Sequence, residues 1–524
     1  MKNYYSRYLA ACLCAALLFS AGLNSASGQA SKPAADSTPA NPNLAQYNQA
    51  INDFNAATRS SDPARTAKTI SELQALTKTP GYQNDATVHN LLGYLYLTQS
   101  NPTAAIPELQ TTVQLNPANL DAHNNLGNAL RQTNQYDAAA VQYQYVLDHP
   151  AAKGTDPGPD PSRVKFNLAT VLGQAGETDR SLTLFSELAA TGNADASVYK
   201  NYGFFLQKAG RSADAAAALQ KSATLNPKDA SASLSAGELF AKIGQYDDAI
   251  ASLTKALGPD VDPKLDPGAE YDAYFALGES YAAKQDNPQA IKEFETASTL
   301  QPQNAVPLYN KGVLQQQAGL NADAETSYRS ALQKDPNNVQ IQTALGVLLA
   351  DTGNNAESAS LLSASVPKMP QNAQAAPFYS RLGDVYARQK NYADANQARM
   401  QALSFNPDDT DTRVALADSY MTQKQYVSAL TQYNIASQAR PTDAAIQNQR
   451  GVAYKNLKQY PKALAAFKKA AALSPSNAQV ENNIGVVYEL LGKKPLAVAA
   501  YKKALALNPQ LAEARQNLGR FASK

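Results

Sequence analysis

The sequence predicts an all-α chain, an α-solenoid superhelix of about 12–13 stacked helix-turn-helix units with a C-terminal capping helix. Three regularities carry that expectation. Small residues recur at Gly93, Gly127, Ala169, Gly203, Gly237, Gly278, Gly312, Gly346, Gly383, Ala417, Gly451, Gly485 and Gly519, and nine of the twelve intervals are 34 residues, the others being 42, 41 and 37. Twelve residues after each of these but the last stands a second small residue, from Ala105 and Ala139 to Ala463 and Ala497, usually followed four residues later by a bulky apolar one such as Tyr143, Phe185, Tyr433 or Tyr501. Prolines close most units, among them Pro117, Pro227, Pro336, Pro407 and Pro509. Self-similarity at one period over hundreds of residues is the mark of a stacked repeat, in which each unit buries its apolar face on its neighbours.

Taken in order, residues 1–30 read as a secretory leader. Lys2 and Arg7 precede a thirteen-residue apolar run, Leu9–Ala21, and small residues lead to Ala30. A bilayer span takes about 20 apolar residues, so no integral membrane span is expected once the leader is removed. Leu9-Ala10-Ala11-Cys12 resembles a lipidation box, but Cys12 stands at the start of the apolar run, where a lipoprotein signal would place it at the end. The expected address is therefore export, to the periplasm or beyond. Residues 31–43, rich in Pro, Ala and Ser, read as a flexible linker. Residues 44–80 read as a degenerate helix pair, and 86–150 as two units. A Pro/Gly spacer (151–161) precedes three units over 162–257. A Pro/Asp spacer (258–268) precedes seven over 269–509, and 511–524 is the capping helix. Asp156, Asp160, Asp260, Asp262 and Asp266 lie in the spacers without the ordered loop and closing bidentate acid of a calcium site.

The spacing has a direct physical reading. Gly inside a helix costs about 1 kcal/mol relative to Ala. A glycine held at one register in so many units therefore implies close approach of the paired helix, with residues such as Ala497 as the matching notch. Gly176, Gly210, Gly244, Gly319, Gly353 and Gly492 are expected to end first helices in the left-handed conformation. Asn-Pro and Asp-Pro pairs are expected to stop second helices, because a residue before Pro avoids the helical region. In the clearest copy, Ile484, Val487, Tyr488 and Leu491 share one helix face and are expected to be buried. Tyr136, Tyr246, Tyr392, Tyr426 and Tyr460 are likewise expected in core slots.

Each unit resembles the tetratricopeptide repeat, most clearly from Asn482 to Pro509, and the resemblance covers roughly residues 86–524. It implies a groove lined by first helices that holds peptide segments of other proteins. Asn125, Asn167, Asn201, Asn310, Asn483 and Asn517 each precede the small residue by two. A similar Asn row in the repeats of eukaryotic O-linked N-acetylglucosamine transferases is taken to grip peptide backbone, a task that suits an amide able to donate and accept. Here Leu91, Ser235, Ala276, Ala344, Arg381, Ala415 and Gln449 interrupt the row. Glu238, Glu279, Asp384 and Asp418 follow the small residue by one and tint the groove acidic. The Lys/Arg/Asn clamp of the family's chaperone-binding members does not align.

Composition narrows the function further. Lys and Arg number 46 against 44 Asp and Glu, and a balanced chain offers no general field for nucleic acid or anionic lipid. With no Trp, two Cys and three His (His89, His123 and His149, expected on helix surfaces), the sequence shows no metal spacing, no phosphate loop and no nucleophile with a base. Neither cofactor nor catalysis is expected. The expected role is an exported protein-interaction scaffold. Two narrower versions are a scaffold subunit of envelope polysaccharide synthesis, export or outer-membrane assembly, and an adaptor for an enzyme on a separate chain.

Overall fold

The computed structural model describes residues 43–60, 62–151 and 158–522. The expected leader with Cys12, the linker as far as residue 42, residues 152–157 of the first spacer and the last two residues of the chain lie outside them. Among the described residues there are 27 α-helices and no β-strand. Two compact units are divided between Ser280 and Tyr281. The first unit pairs Leu44–Ser60 with Pro63–Leu76, Ala86–Thr98 with Pro102–Leu115, Leu120–Gln132 with Tyr136–Asp148, Pro161–Ala175 with Thr178–Ala190, Ala196–Lys208 with Ser212–Leu225, and Ala230–Lys242 with Tyr246–Ala256. Pro267–Ala283 follows and spans the division. The second unit continues with Asn287–Leu300. It then pairs Val306–Gln317 with Asn321–Lys334, Val339–Asp351 with Asn355–Ser365, Ala376–Arg388 with Tyr392–Phe405, Thr410–Thr422 with Tyr426–Ala439, Ala444–Asn456 with Tyr460–Leu473, and Ala478–Leu490 with Lys494–Leu507. Ala512–Ala522 comes last.

Each repeat is built around a wedge. A Cβ added at Gly485 would lie 2.5 Å from Cε1 of Tyr501, and one at Gly127 would lie 2.7 Å from Cε1 of Tyr143. At these positions a Cβ would collide with the ring, whereas Ala169 and Ala417 hold the same register opposite Phe185 and Tyr433. The wedge residues Tyr143, Phe185, Phe294, Tyr328, Tyr433, Phe467 and Tyr501 are among the largest fully buried side chains of the described residues. A Cβ added at Gly519, in the last described helix, would meet no atom within 4 Å, so among the described residues no wedge packs on it.

Turn chemistry follows the expectation and extends it. The six glycines that end first helices all have positive φ, from 72° at Gly492 to 95° at Gly176. At the same register the other repeats place Ser100, Asn134, Gln285, Lys390, Lys424 and Lys458, with φ between 53° and 64°. The turn geometry is thus common to twelve repeats, although only half of them have the glycine. Residues before the closing prolines, such as Asn406 (φ −134°, ψ 84°) and Asn508 (φ −139°, ψ 93°), have left the helical region. First helices begin on an Asp or Asn that caps them: Asp85, Asp229, Asp443 and Asn477 each accept from backbone N–H groups two and three residues on. The spacer aspartates do the same work. Asp160 caps Ser162 N at 3.0 Å, and Asp266 accepts from Gly268 N and Ala269 N at 2.9 and 3.0 Å. The helices they start are 15 and 17 residues long, so part of each insertion lengthens a first helix.

Several side chains sit differently from the expectation. Tyr136, Tyr246, Tyr392, Tyr426 and Tyr460 are half-buried rather than core, because the turn before each second helix leaves one side of the ring to solvent. Ile484 and Val487 are buried, whereas Tyr488 and Leu491 are only half-buried, and Lys468 lies 5.8 Å over the Tyr488 ring. His89 and His123, expected at the surface, are buried between helices. His89 Nδ1 lies 2.5 Å from Glu108 Oε2 and its Nε2 3.1 Å from Gln83 O. His123 repeats the arrangement one period later with Gln142 Oε1 (2.8 Å) and Pro117 O (3.1 Å), and its ring stacks on Tyr145. Long polar side chains four residues before the small residue reach back to the preceding turn elsewhere too: Gln342 Nε2 donates to Pro336 O at 2.8 Å, and Arg413 to Pro407 O. His149 is exposed.

Candidate peptide groove

First helices form the inner side of the repeats. Ala86–Thr98 touches Leu120–Gln132, Ala444–Asn456 touches Ala478–Leu490, and the latter touches Ala512–Ala522. The interrupted Asn row lies here, three members in each compact unit.

In the second unit the row is stitched together. Asn483 Nδ2 donates to Asn448 Oδ1 at 3.0 Å, and Asn517 Nδ2 donates to Asn482 Oδ1 at 2.9 Å. Each bond runs from the position two before the small residue to the position three before it in the preceding repeat. Asn517 Oδ1 in turn accepts from Arg520 at 2.5 Å. Asn310 is half-buried, away from this chain of amides. In the first unit Asn125 is buried. Asn167 and Asn201 are half-buried; Asn201 donates to Ser197 O at 2.9 Å within its own helix. Asn167 lies 3.5 Å from Asn128 Oδ1, which already accepts the Tyr143 hydroxyl at 2.8 Å. A contact that long is weak. The Asn167 amide is therefore the most readily redirected of the bonded set.

The acidic positions separate in the same way. Asp384 accepts from Arg399 Nη2 at 2.9 Å, and Asp418 accepts from the Tyr433 hydroxyl. Both are used by the fold. Glu238 and Glu279 keep contact with solvent on the inner side. Crowding by protein, and Asp272 second, push the Glu238 pKa up to about 7, and burial raises that of Glu279. Among the described residues no group of three or more His, Cys, Asp and Glu could hold a metal ion, and no helix is long and apolar enough to cross a membrane.

Sequence models described as tetratricopeptide repeat match residues 90–157, 206–270, 271–304, 315–382, 444–477 and 478–511, together more than half of the chain. The chain belongs to the tetratricopeptide repeat family. Three solved structures are similar to the chain at low identity. One is the APC/C hetero-tetramer Cut9–Hcn1, with 16% identity, 90% of this chain and 95% of that chain covered, and a TM-score of 0.31. Another is a tetratricopeptide repeat protein from Parabacteroides merdae, with 20% identity, 48% and 97% covered, and a TM-score of 0.33. MamA from Desulfovibrio magneticus is similar at 18% identity, 33% and 96% covered, and a TM-score of 0.31. No curated protein matches the sequence. The repeats suit a protein-interaction scaffold, and the amides and carboxylates of the inner face offer hydrogen bonds to peptide backbone.

Proposed function

We propose that the protein is an exported, non-catalytic scaffold that holds peptide segments of other proteins along the first-helix face of its tetratricopeptide repeats. The supporting observation is the split within the inner face. In the second unit Asn483, Asn517, Asp384 and Asp418 are tied to other side chains, although Asp384 and Asp418 also meet solvent. In the first unit Asn167 makes only a 3.5 Å contact, Asn201 bonds only within its own helix, and Glu238 and Glu279 are exposed. Polar groups beyond what packing consumes, on the side the family uses for peptides, favour the stretch from Asn167 to Glu279 as the binding segment. Export rests on the basic start and short apolar run of residues 1–30.

The test pairs Asn167→Ala with Asn201→Ala. A net hydrogen bond contributes about 0.5–1.5 kcal/mol, so the double variant should keep its fold and bind partners captured from an envelope extract about tenfold more weakly. Unchanged affinity removes this segment as the binding site. Intact-mass analysis of the native protein should show the chain starting near residue 31, and Met1 still attached would overturn export.

A further inference from the structure

The near-neutral total conceals a local imbalance. Residues 454–511 hold nine lysines, two glutamates, no Arg and no Asp, which leaves 37 basic residues against 42 acidic ones elsewhere. Both glutamates are engaged: Glu481 with Lys503 at 2.5 Å, and Glu489 with the Tyr501 hydroxyl at 2.7 Å and Arg520 at 3.2 Å. The second helices Tyr460–Leu473 and Lys494–Leu507 contain no acid. They bury Ala463, Phe467 and Ala470, and Ala497, Tyr501 and Ala504, respectively. Helical periodicity then turns Lys468, Lys469, Lys502 and Lys503 to the opposite, outer side, where all four are exposed. Exposed Lys493 and Lys494 add to them at the turn. The same outer side shows large apolar side chains to solvent: Leu496 is 47% exposed, and on the two preceding second helices Met400 is 49% and Val427 67% exposed.

We propose that this outer face of the last four repeats docks on an anionic phospholipid bilayer, with the lysines over the headgroups and the apolar tips in the interface. The makeup of the patch selects that occupant. Protein interfaces favour Arg, which forks onto carboxylates, and are depleted in Lys. A field of Lys alone, each a compact hydrated charge, instead suits a diffuse layer of headgroups. Nucleic acid would satisfy the lysines but leave Met400, Val427 and Leu496 without a role, whereas a bilayer interface takes both. The balance of the whole chain gave no reason to expect this, because the excess acid of the other repeats cancels the patch in the sum.

Co-sedimentation of the full chain with vesicles tests the proposal. Vesicles of phosphatidylglycerol and phosphatidylcholine in equal parts should bind it, added salt should release it, and phosphatidylcholine alone should not bind. The variant with Lys469, Lys493, Lys494 and Lys502 all changed to Gln spares the lysines paired with Glu481 or seated over a tyrosine ring. At about fivefold per lysine, it should lose at least about a hundredfold in partition, with an unchanged urea midpoint showing that it folds. Val427→Ser with Leu496→Ser should weaken vesicle binding by about a further severalfold. Equal binding to both vesicle types, or full affinity in the four-lysine variant, overturns the proposal. So does sedimentation that needs protein concentration but no vesicles, which would mean pairing between copies. No effect of the serine pair would identify a soluble polyanion instead.

Discussion

Gly485 and Gly383 hold the same register in two repeats of the same compact unit, yet the side chains wedged against them differ in kind. Tyr501 lays its ring on Gly485, is fully buried, and ends in a hydroxyl that donates to Glu489 at 2.7 Å. Arg399 brings its Cγ to 2.7 Å from the Cβ position of Gly383 and is 5% exposed. Its guanidinium donates to Asp384 at 2.9 Å and to Ala415 O at 3.1 Å, while Nε stays buried without a hydrogen-bond partner. The slot is thus a shape before it is a chemistry. Close helix approach takes a glycine or, at Ala169 and Ala417, an alanine, and the space beside it takes an aromatic ring, a leucine or the stem of an arginine.

The largest expected effect breaks the tyrosine side of this comparison. Tyr501→Ala should cost about 3–5 kcal/mol. Because coupling runs between neighbours, hydrogen exchange should rise in Lys494–Leu507 and in Ala512–Ala522, whose Phe521 ring lies 6.2 Å from Tyr501, while distant repeats stay protected. Tyr488→Ala, at a half-buried ring, should cost only about 1–2 kcal/mol. Equal costs would mean that the glycine wedge is not the keystone of the repeat.

The arginine side should respond with the opposite sign. Asp384 has solvent to fall back on, so Arg399→Leu leaves no stranded charge and removes the orphaned Nε. Replacing a buried ion pair with a well-packed apolar side chain is often stabilising by about 1–4 kcal/mol, and Leu362 already fills this slot beside Gly346. A rise of about 1–2 kcal/mol in urea unfolding is expected. A loss would instead assign Arg399 the role of tying its helix to Ala415 in the next repeat.

What the sequence made legible follows the same division. Period, helix pairing, glycine wedges and proline stops depend on spacing along the chain, and a spacing of twelve or sixteen residues can be read directly. The hydrogen bonds of the inner face depend on how one repeat is set on the next. Asn483 reaches Asn448 and Asn517 reaches Asn482, pairs 35 residues apart, one more than the period, and only the stacking brings that offset together. The buried His89 and His123 were hidden for a related reason. One partner of each is a carbonyl of the preceding turn, which has no letter in the sequence. The other is a side chain 19 residues on, Glu108 or Gln142, brought near only by helix pairing. A signal did exist in the recurrence of a nitrogen-bearing side chain four residues before the small residue.

The smallest effect concerns the turn, where the shape is again fixed and the residue varies. Lys390, Lys424 and Lys458 sit at φ 60°, 61° and 57° in three successive repeats, at the register where Gly492 sits at 72°. A left-handed residue with a Cβ costs about 1–2 kcal/mol. Glycine removes that cost but frees the unfolded chain, which takes back about 0.4–1 kcal/mol. Lys424→Gly should therefore stabilise by about 0.5–1 kcal/mol. The three turns lie in separate repeats without shared partners, so the triple variant should gain close to the sum, about 1.5–3 kcal/mol. Gly492→Lys should lose about what one lysine turn gains, because nothing lies within 4 Å of that glycine and only its backbone conformation is at stake. Urea midpoints measured on the four proteins decide the matter. Gains from the lysine variants with a matching loss at Gly492 would show that the turn, like the wedge, is selected for backbone shape. No gain at Lys424 would mean that its side chain stabilises the turn enough to cover the strain.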